Sequence, residues 1–246
     1  MDLQGITRLI LFRIEVRRGV PVNRYVIGDI HGGAQTFRAL LGRIGLRRGD
    51  LLHLLGDLID RGPDSRGVLD TVLNLREAGF TVRPIRGNHE DMLLRNISGK
   101  HDAWSPHWME EFGERTLRSF GIRMPGELPE RYVKLLMSLP FLALERDYVL
   151  VHAGLAFNSP DPLHDSHPHN MLWQESGIPD RNRLGGRIVV TGHKYRPLRD
   201  IEASLLTDRI FLDNGAFTGM LPDLGNLVAL DLDRKRLFLQ PWLDGE

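Results

Sequence analysis

Several polar residues of this chain follow short apolar runs at the point where each run stops, and their types are those that bind metal ions. Carboxylate and imidazole groups suit Mn²⁺, Fe and Zn²⁺, and the chain has no cysteine that would favour softer ions. Disulfides and thiolate sites are therefore excluded, so any metal must be held by His, Asp, Asn or Glu. The residues at these positions are Asp29, His31, Asp57, Asn88, His152 and His193.

Asp29 and His31 are the pair whose spacing is most informative. Residues two apart in an extended segment point the same way, so one carboxylate and one imidazole can reach the same ion. Gly28 and Gly32 flank the pair and permit a close approach of the backbone. Taken alone, an Asp-x-His segment is more commonly a solvated turn, and the pair gains weight only from the segments that follow.

The elements that must position these residues form a repeating pattern. Strand-like runs alternate with segments 34–44 and 66–78, whose apolar residues have helical spacing. The order β-α-β-α-β predicts an α/β fold with a parallel core sheet and helices on its faces. In such folds the ligand site lies at the carboxyl ends of the strands, where the polar residues fall. The runs are 25–27, 51–55, 82–85, 148–151 and 188–190.

The rest of the chain is expected to decorate this core. Residues 91–140 have few strand signals and predict a small helical insert, whereas residues 158–183 are rich in Pro, Asp, Asn and His and predict a long loop near the site. Residues 1–23 precede the core as an N-terminal extension, and no linker divides residues 1–246, which favours a single domain. Further strands are expected at 210–212, 227–232 and 236–239.

Composition excludes some classes of function. Lys plus Arg and Asp plus Glu each number 32, so the formal net charge is zero, unlike the basic surface of a typical nucleic-acid-binding domain. The longest apolar run near the N-terminus, Leu9–Phe12, is too short for a signal peptide or a membrane span. We therefore expect a cytoplasmic protein with no nucleic-acid or membrane partner, a location that the lack of cysteines fits.

Three segments occur in a fixed order, followed by His152 in a His-Ala-Gly segment and His193 in a Gly-His segment. The three are Gly28-Asp29-x-His31-Gly32, Gly56-Asp57-x-x-Asp60-Arg61-Gly62 and Gly87-Asn88-His89-Glu90. Over residues 24–232 the chain thereby resembles the calcineurin-like metallophosphoesterases, and within them the phosphoprotein phosphatase branch of bacterial type. The resemblance implies a metallophosphoesterase β-sandwich with a parallel core flanked by helices.

The resemblance also implies a ligand set for two divalent metal ions. Asp29, His31 and Asp57 would hold the first ion. Asp57, Asn88, His152 and His193 would hold the second, so that Asp57 bridges the two. Mn²⁺ is the expected metal, with Fe or Zn²⁺ as alternatives.

Further roles follow from the same resemblance. His89 would protonate the leaving group, and Asp60 would orient its ring. Arg61 and Asn88 would contact the phosphate, Arg61 through its forked guanidinium. The family's second phosphate-binding arginine follows a Leu-Trp pair, but here Leu172-Trp173 is followed by Gln174-Glu175. Arg181 is therefore expected to reach back to the substrate, with Arg183 as the alternative.

Two activities are compatible with these motifs. The first is hydrolysis of phosphoserine and phosphothreonine, and also phosphotyrosine, in a phosphorylated protein or peptide by direct attack of a metal-bridging hydroxide. The alternative is a symmetrical diadenosine tetraphosphate hydrolase, which would need base-stacking residues in the insert and the loop. A non-catalytic binding module is disfavoured, because such a protein has no need of both Asp60 and His89.

Overall fold

Two β-sheets form the centre of the fold in the computed structural model, which describes residues 23–99, 108–219 and 221–245. The predicted N-terminal extension lies outside the described residues except for Asn23. Strands β1–β10 are Arg24–Ile27, Leu51–Leu54, Thr81–Pro84, Leu142–Leu144, Tyr148–Val151, Ile188–Thr191, Arg209–Phe211, Asp213–Asn214, Asn226–Asp231 and Arg236–Pro241.

The first sheet has the order β10-β9-β1-β2-β3, with β8 paired to β9. Strands β1, β2 and β3 are parallel, and Ile27, Leu54 and Pro84 lie side by side at their carboxyl ends. The second sheet has the order β4-β5-β6-β7, in which β5, β6 and β7 are parallel. Because parallel strands end at the same edge of a sheet, the loops that follow the parallel strands of each sheet lie close together at that edge.

The two sheets pack face to face, which confirms the predicted β-sandwich. Alternate residues of a strand face opposite sides of its sheet. In β1, Tyr25 and Ile27 therefore face the helices, whereas Val26 lies between the sheets. The layer between the sheets is filled by buried side chains from both, including Val26, Leu150, Val190, Ile210, Val228 and Leu230.

Helices cover the outer faces of the sandwich. The described part of segment 91–140 is helical and includes a π-helix over Met109–Gly113. The helices α1–α8 are Ala34–Ile44, Ser65–Glu77, Asn88–Ile97, Glu114–Phe120, Glu130–Met137, Pro162–Asp165, Pro168–Trp173 and Leu198–Ser204. No helix in the described ranges has both the length and the apolar character needed to cross a membrane.

Segment 158–183 differs from the predicted long loop. It contains α6, α7 and the start of a 3₁₀ helix at Arg181–Leu184. Its Pro and Asp residues are helix-starting residues: Pro162 and Pro168 occupy first-turn positions, and the Asp161 carboxylate accepts a hydrogen bond from the His164 amide. Pro and Asp are favoured both in loops and at the first positions of helices. The composition that indicated a loop is therefore explained here by the starts of short helices.

Candidate dinuclear metal site

Loops from the carboxyl ends of both sheets bring the six predicted ligands together. Asp57 belongs to two groups, buried except for the partly buried His193, and the ligand atoms of each group lie within 4.8 Å of one another. The first group joins Asp57 to His31 and to His89, which is not one of the six predicted ligands, and the second joins it to His152 and His193. Asp57 thus lies between two positions that could each hold an ion, which is the place that the resemblance assigns to a bridging ligand.

Three potential ligand atoms converge at the second position. His152 Nε2 lies 2.8 Å from Asn88 Oδ1, and His193 Nδ1 lies 3.1 Å from the same oxygen. His152 Nδ1 is 2.8 Å from the carbonyl oxygen of Leu55, which can only accept, so Nδ1 carries the proton. The Nε2 lone pair therefore faces another acceptor, an arrangement that a cation between them would stabilise.

His31 is held in the same way at the first position. Its Nδ1 lies 3.0 Å from the carbonyl oxygen of Ile59, which directs the lone pair of Nε2 toward Asp57 Oδ2 at 3.6 Å. Backbone carbonyls that orient the non-ligating nitrogen are typical of metal-binding histidines. The first position therefore presents a neutral imidazole and a carboxylate, which fit a divalent cation.

Asp29 supplies the clearest sign of a missing positive partner. Its Oδ2 accepts a 2.9 Å hydrogen bond from the His193 amide, but its buried Oδ1 has no hydrogen-bond partner among the described residues. A Cβ on Gly192 would lie 1.9 Å from this Oδ1, so only glycine permits the approach. A buried unpaired carboxylate oxygen is costly, and a metal ion would satisfy it.

The charges of the site also fit a pair of cations. Burial, together with Asp213 and Asp57, raises the pKa of Asp29 well above its usual value. Burial raises the pKa of Asp213 to about 7 despite a hydrogen bond from the Gly215 amide. Burial lowers the pKa of His193 to about 3, which keeps the ring neutral as metal binding requires. Acidic groups therefore exceed cationic groups here, and divalent ions would compensate the excess.

The backbone at the site is strained. Left-handed φ angles cost non-glycine residues roughly 1–2 kcal/mol each and cluster at functional sites. In the described ranges seven non-glycine residues have such angles, and five of them belong to the predicted site. These five, with φ between 46° and 71°, are His31, Asp57, Asp60, Arg61 and His193.

Glu90 holds part of this strained backbone in place. Its fully buried carboxylate accepts hydrogen bonds from the amides of Asp57 at 2.9 Å, Leu58 at 2.7 Å and Gly87 at 2.8 Å. The amides lie in the loops that follow β2 and β3, so one side chain fixes the relative position of Asp57 and Asn88. Glu90 thereby acts as a structural support of the site.

A cavity of about 130 Å³ opens beside the metal positions. The Arg61 guanidinium lies against two aromatic rings, with its Cζ 4.5 Å from the Phe217 centroid and 5.1 Å from the Phe112 centroid. Such cation–π contacts stabilise and orient the guanidinium. The cavity is lined by Asp57, Arg61, Asn88, His89, Met92, Phe112, Trp173 and His193.

His89 and Asp60 form a close pair at the wall of this cavity. His89 Nδ1 lies 2.7 Å from Asp60 Oδ2, and its Nε2 lies 3.8 Å from Asp57 Oδ2. Burial lowers the pKa of His89, but the charges of Asp57 and Asp60 outweigh it and raise the pKa above its ordinary value. The Asp60 carboxylate therefore both orients the ring and favours its charged form.

Arg181 is the one predicted site residue that the structure places elsewhere. Its guanidinium donates to the carbonyl oxygen of Gly186 and lies 3.7 Å from Asp208, and its side chain does not line the cavity. Arg183, the alternative, donates to the carbonyl oxygen of Ser159. The 3₁₀ helix directs both side chains to local partners instead of the substrate.

Glu175, two positions after Trp173, carries the opposite charge to the expected arginine. Glu175 Oε2 lies 2.6 Å from Lys194 Nζ, and its Oε1 lies 3.7 Å from His193 Nε2. An acidic side chain with a lysine partner thus stands beside the metal ligands, in the part of the chain where the arginine was expected.

Sequence reasoning missed two aromatic residues of the site. Phe112 lies in the π-helix, whose fifth-residue spacing has no clear sequence signature. Phe217 follows Asp213-Asn214-Gly215 at the end of β8, and its ring lies 5.0 Å from that of His31. A strand that stops at Asp-Asn-Gly repeats the pattern used to find the other site residues, so Phe217 could have been found from it.

Comparison with known proteins agrees with this geometry. The model of the calcineurin-like phosphoesterase family matches residues 23–232. This chain belongs to the calcineurin-like phosphoesterases. Its buried His and Asp residues are placed where they could bind metal, as membership of this family leads one to expect.

Relatives of this phosphoesterase carry two different names. It is 42% identical over 185 residues to serine/threonine-protein phosphatase 1 of Salmonella typhimurium, covering 71% of this chain and 76% of the relative. Two symmetrical bis(5'-nucleosyl)-tetraphosphatases also match. That of Acidovorax sp. is 46% identical over 30% of this chain, and that of Aromatoleum aromaticum is 34% identical over 53%. The chain spans only 26% and 44% of their lengths.

Solved structures support the fold of the phosphoesterase. A crystal structure assigned as a diadenosine tetraphosphatase has a TM-score of 0.66 and 21% identity, over 92% of this chain and 96% of that chain. A serine/threonine phosphatase from Saccharomyces cerevisiae has a TM-score of 0.51 and 18% identity, over 92% and 81%. At these identities the likeness concerns the fold alone.

Proposed function

We propose that this phosphoesterase hydrolyses dinucleoside tetraphosphates, with two divalent ions, expected to be Mn²⁺, held by the six converging ligands. The aromatic lining of the cavity is the observation that supports a nucleotide substrate. Phe112 from the helical insert and Trp173 from segment 158–183 both face the space beside Arg61. Aromatic faces stack nucleobases, and these are the two segments in which base-stacking residues were expected.

Different residues would bind the phosphate and protonate the leaving group. Paired divalent ions, when bound, lower the pKa of water to give a hydroxide nucleophile and stabilise the developing charge. Arg61, packed between Phe112 and Phe217, donates paired hydrogen bonds to phosphate oxygens. Asn88, on the cavity wall, contacts the same group, and His89 donates a proton to the departing oxygen.

The names of the relatives support the same substrate. Matches to symmetrical bis(5'-nucleosyl)-tetraphosphatases come from Acidovorax and Aromatoleum, at 34–46% identity. Symmetrical cleavage of a tetraphosphate releases two nucleoside diphosphates. The departing group is then a phosphate oxygen, which leaves readily. Such a substrate therefore needs less protonation by His89 than an alkyl phosphate would.

Phosphoprotein hydrolysis is the second candidate, and one observation favours it. The Salmonella typhimurium relative named as a serine/threonine phosphatase is matched over 76% of its length, more than either tetraphosphatase. In this case the aromatic side chains of the cavity would contact residues beside the phosphorylated side chain instead of a base.

Turnover of the two substrates by one preparation separates the candidates. Diadenosine tetraphosphate and a phosphothreonine peptide would be compared at equal concentrations of Mn²⁺, with Asp57→Asn as the background control. We expect kcat/KM for the dinucleotide to be at least about tenfold higher, with a diphosphate as the product. A tenfold preference for the peptide would establish the second candidate. Hydrolysis of neither substrate, or full activity without metal, would overturn the proposal.

A further inference from the structure

The helical insert contributes two hydrogen bonds to the carboxylate that orients His89. The Trp108 indole donates from Nε1 to Asp60 Oδ2 at 2.6 Å, and the Thr116 hydroxyl donates to Asp60 Oδ1 at 2.5 Å. Trp108 and Asp60 are 0% exposed and Thr116 is 1% exposed. Both bonds lie in an interior without competing water, where a charged acceptor makes them strong.

The hydrogen bonds from Trp108 and Thr116 determine which of His89 and Asp60 carries the proton that they share. An indole N–H can only donate, so Asp60 Oδ2 must accept. The Thr116 proton is directed to Oδ1, while Ser65 Oγ lies 2.9 Å from Thr116 Oγ1 and can donate to it. Since both carboxylate oxygens accept, the proton between His89 Nδ1 and Asp60 belongs to the imidazole. The other ring nitrogen, Nε2, is therefore the one presented to the cavity.

Thr116 and Ser65 also fix the backbone of Asp60. The Asp60 amide lies 3.0 Å from the hydroxyl oxygens of both residues. Asp60 has a φ of 69°, a conformation that its side chain disfavours and that external contacts must maintain. The insert therefore holds both the backbone and the side chain of this residue.

The insert is built closely around the indole. A Cβ on Gly113 would lie 2.7 Å from Trp108 Cζ3, so glycine is needed for the ring to pack there. One residue earlier, Phe112 packs edge-on against His89 with a centroid distance of 4.9 Å. The segment that contains Trp108 thus also packs directly against the His89 imidazole through Phe112.

We infer that Trp108 and Thr116 are positioning residues for proton transfer, so that a docked insert is required for His89 to act as an acid. The inference rests on the phosphoester hydrolysis of the proposed function, whichever substrate is used. Water attacks phosphorus, and the departing oxygen takes the electron pair of the broken P–O bond. That oxygen takes a proton from His89 Nε2. The attacking water loses a proton to solvent, and His89 takes up a proton from solvent before the next turnover.

This role predicts an effect that depends on the leaving group. Phenyl phosphate releases a phenol whose pKa is about 10, like that of tyrosine, so its departure benefits from an acid. The p-nitrophenolate ion is stable near neutral pH and needs little protonation. A variant that misplaces His89 should therefore slow the first substrate and spare the second, whereas damage to the metal site would slow both.

The test uses kcat values of Trp108→Phe and Thr116→Val on both aryl phosphates with Mn²⁺. We expect kcat for phenyl phosphate to fall about tenfold or more, with a change under about twofold for p-nitrophenyl phosphate. Thr116→Ser, which keeps the hydroxyl, should restore most of the loss. Thr36→Val is the matched control, because buried Thr36 donates a 2.6 Å hydrogen bond to Asp244 in a different part of the fold. Equal loss on both substrates would overturn the inference.

Proton NMR gives a readout that does not depend on turnover. The hydrogen-bonded His89 Nδ1 proton should resonate far downfield in the wild-type chain and in Thr36→Val. In Trp108→Phe and Thr116→Val it should shift or broaden through exchange with water. An unchanged resonance in both variants would contradict the inference even if neither aryl phosphate were hydrolysed.

Discussion

The backbone amide of His193 donates a 2.9 Å hydrogen bond to the carboxylate of Asp29, although 164 positions separate the two residues. Asp29 follows β1 of the first sheet, and His193 follows β6 of the second. The bond therefore ties the two halves of the sandwich together at the metal site. Each sheet supplies some of the ligands, so binding of a metal depends on how the sheets are packed.

Gly192→Ala should disrupt this junction. The added methyl group would lie 1.9 Å from Asp29 Oδ1, and either the carboxylate or the His193 loop must move. We expect metal affinity to fall at least about tenfold, the scale seen when the support of a metal ligand is lost. Isothermal titration with Mn²⁺ would measure the change. Gly42→Ala is the control, since no described atom lies within 4 Å of its added Cβ.

Glu90→Gln should destabilise the loops around Asp57. The amide group of glutamine would direct N–H groups at backbone amides that now donate to Oε1 or Oε2. A buried donor left unsatisfied costs about 1–3 kcal/mol, and we expect the free energy of unfolding to fall by that amount. Urea denaturation measures it. Glu127→Gln, whose exposed carboxylate accepts one bond from the Arg123 amide, should change stability little, and equal losses would contradict the role of Glu90.

Local features of the fold could be predicted from the sequence because they depend on nearby residues. The helix expected at 34–44 is observed as Ala34–Ile44, since its apolar spacing reports one buried face. The division into two sheets could not be derived from spacing, because an apolar run shows that a strand is buried but not which strand it pairs with. That part of the prediction came from the family resemblance.

In the site too, residues that are recognisable from neighbouring sequence could be predicted, whereas contacts between residues far apart in sequence could not. The convergence of the six candidate ligands could be predicted because each follows a strand and carries a metal-binding group. The partners of Asp60 could not, since Trp108 and Thr116 are 48 and 56 positions away and nothing in that spacing indicates a contact with Asp60. The local contact of Arg181 could not be predicted for a related reason: charge and proximity in sequence do not reveal a partner such as the Gly186 carbonyl oxygen.

His89→Ala should separate proton transfer from metal binding. The ring contributes its Nδ1 to Asp60 and its Nε2 to the cavity, so its removal leaves the six predicted ligands in place. We expect unchanged metal content and a kcat about 10²-fold lower on a substrate with a poor leaving group. His164→Ala removes an exposed histidine that pairs with Asp165 and serves as the control. An unchanged kcat in His89→Ala would exclude the ring as the acid.

Arg61→Lys should weaken substrate binding despite the conserved charge. Lysine cannot donate two parallel hydrogen bonds to a phosphate, and it lacks the planar group that lies against Phe112 and Phe217. We expect KM to rise about tenfold, with metal content unchanged. Steady-state kinetics give the value, and Arg118→Lys, at an exposed pair with Glu114, is the matched control. A KM within twofold of the wild type would show that Arg61 does not bind the phosphate.

The number of metal ions per chain tests the two-metal site most directly. Mn²⁺ would be titrated into metal-free wild-type protein and into Asp57→Asn, with bound metal counted by mass spectrometry after dialysis. Because Asp57 belongs to both ligand groups, we expect two ions in the wild type and a loss of affinity for both in the variant. A single ion in the wild type, or two ions bound by Asp57→Asn with unchanged affinity, would contradict a dinuclear site bridged by Asp57.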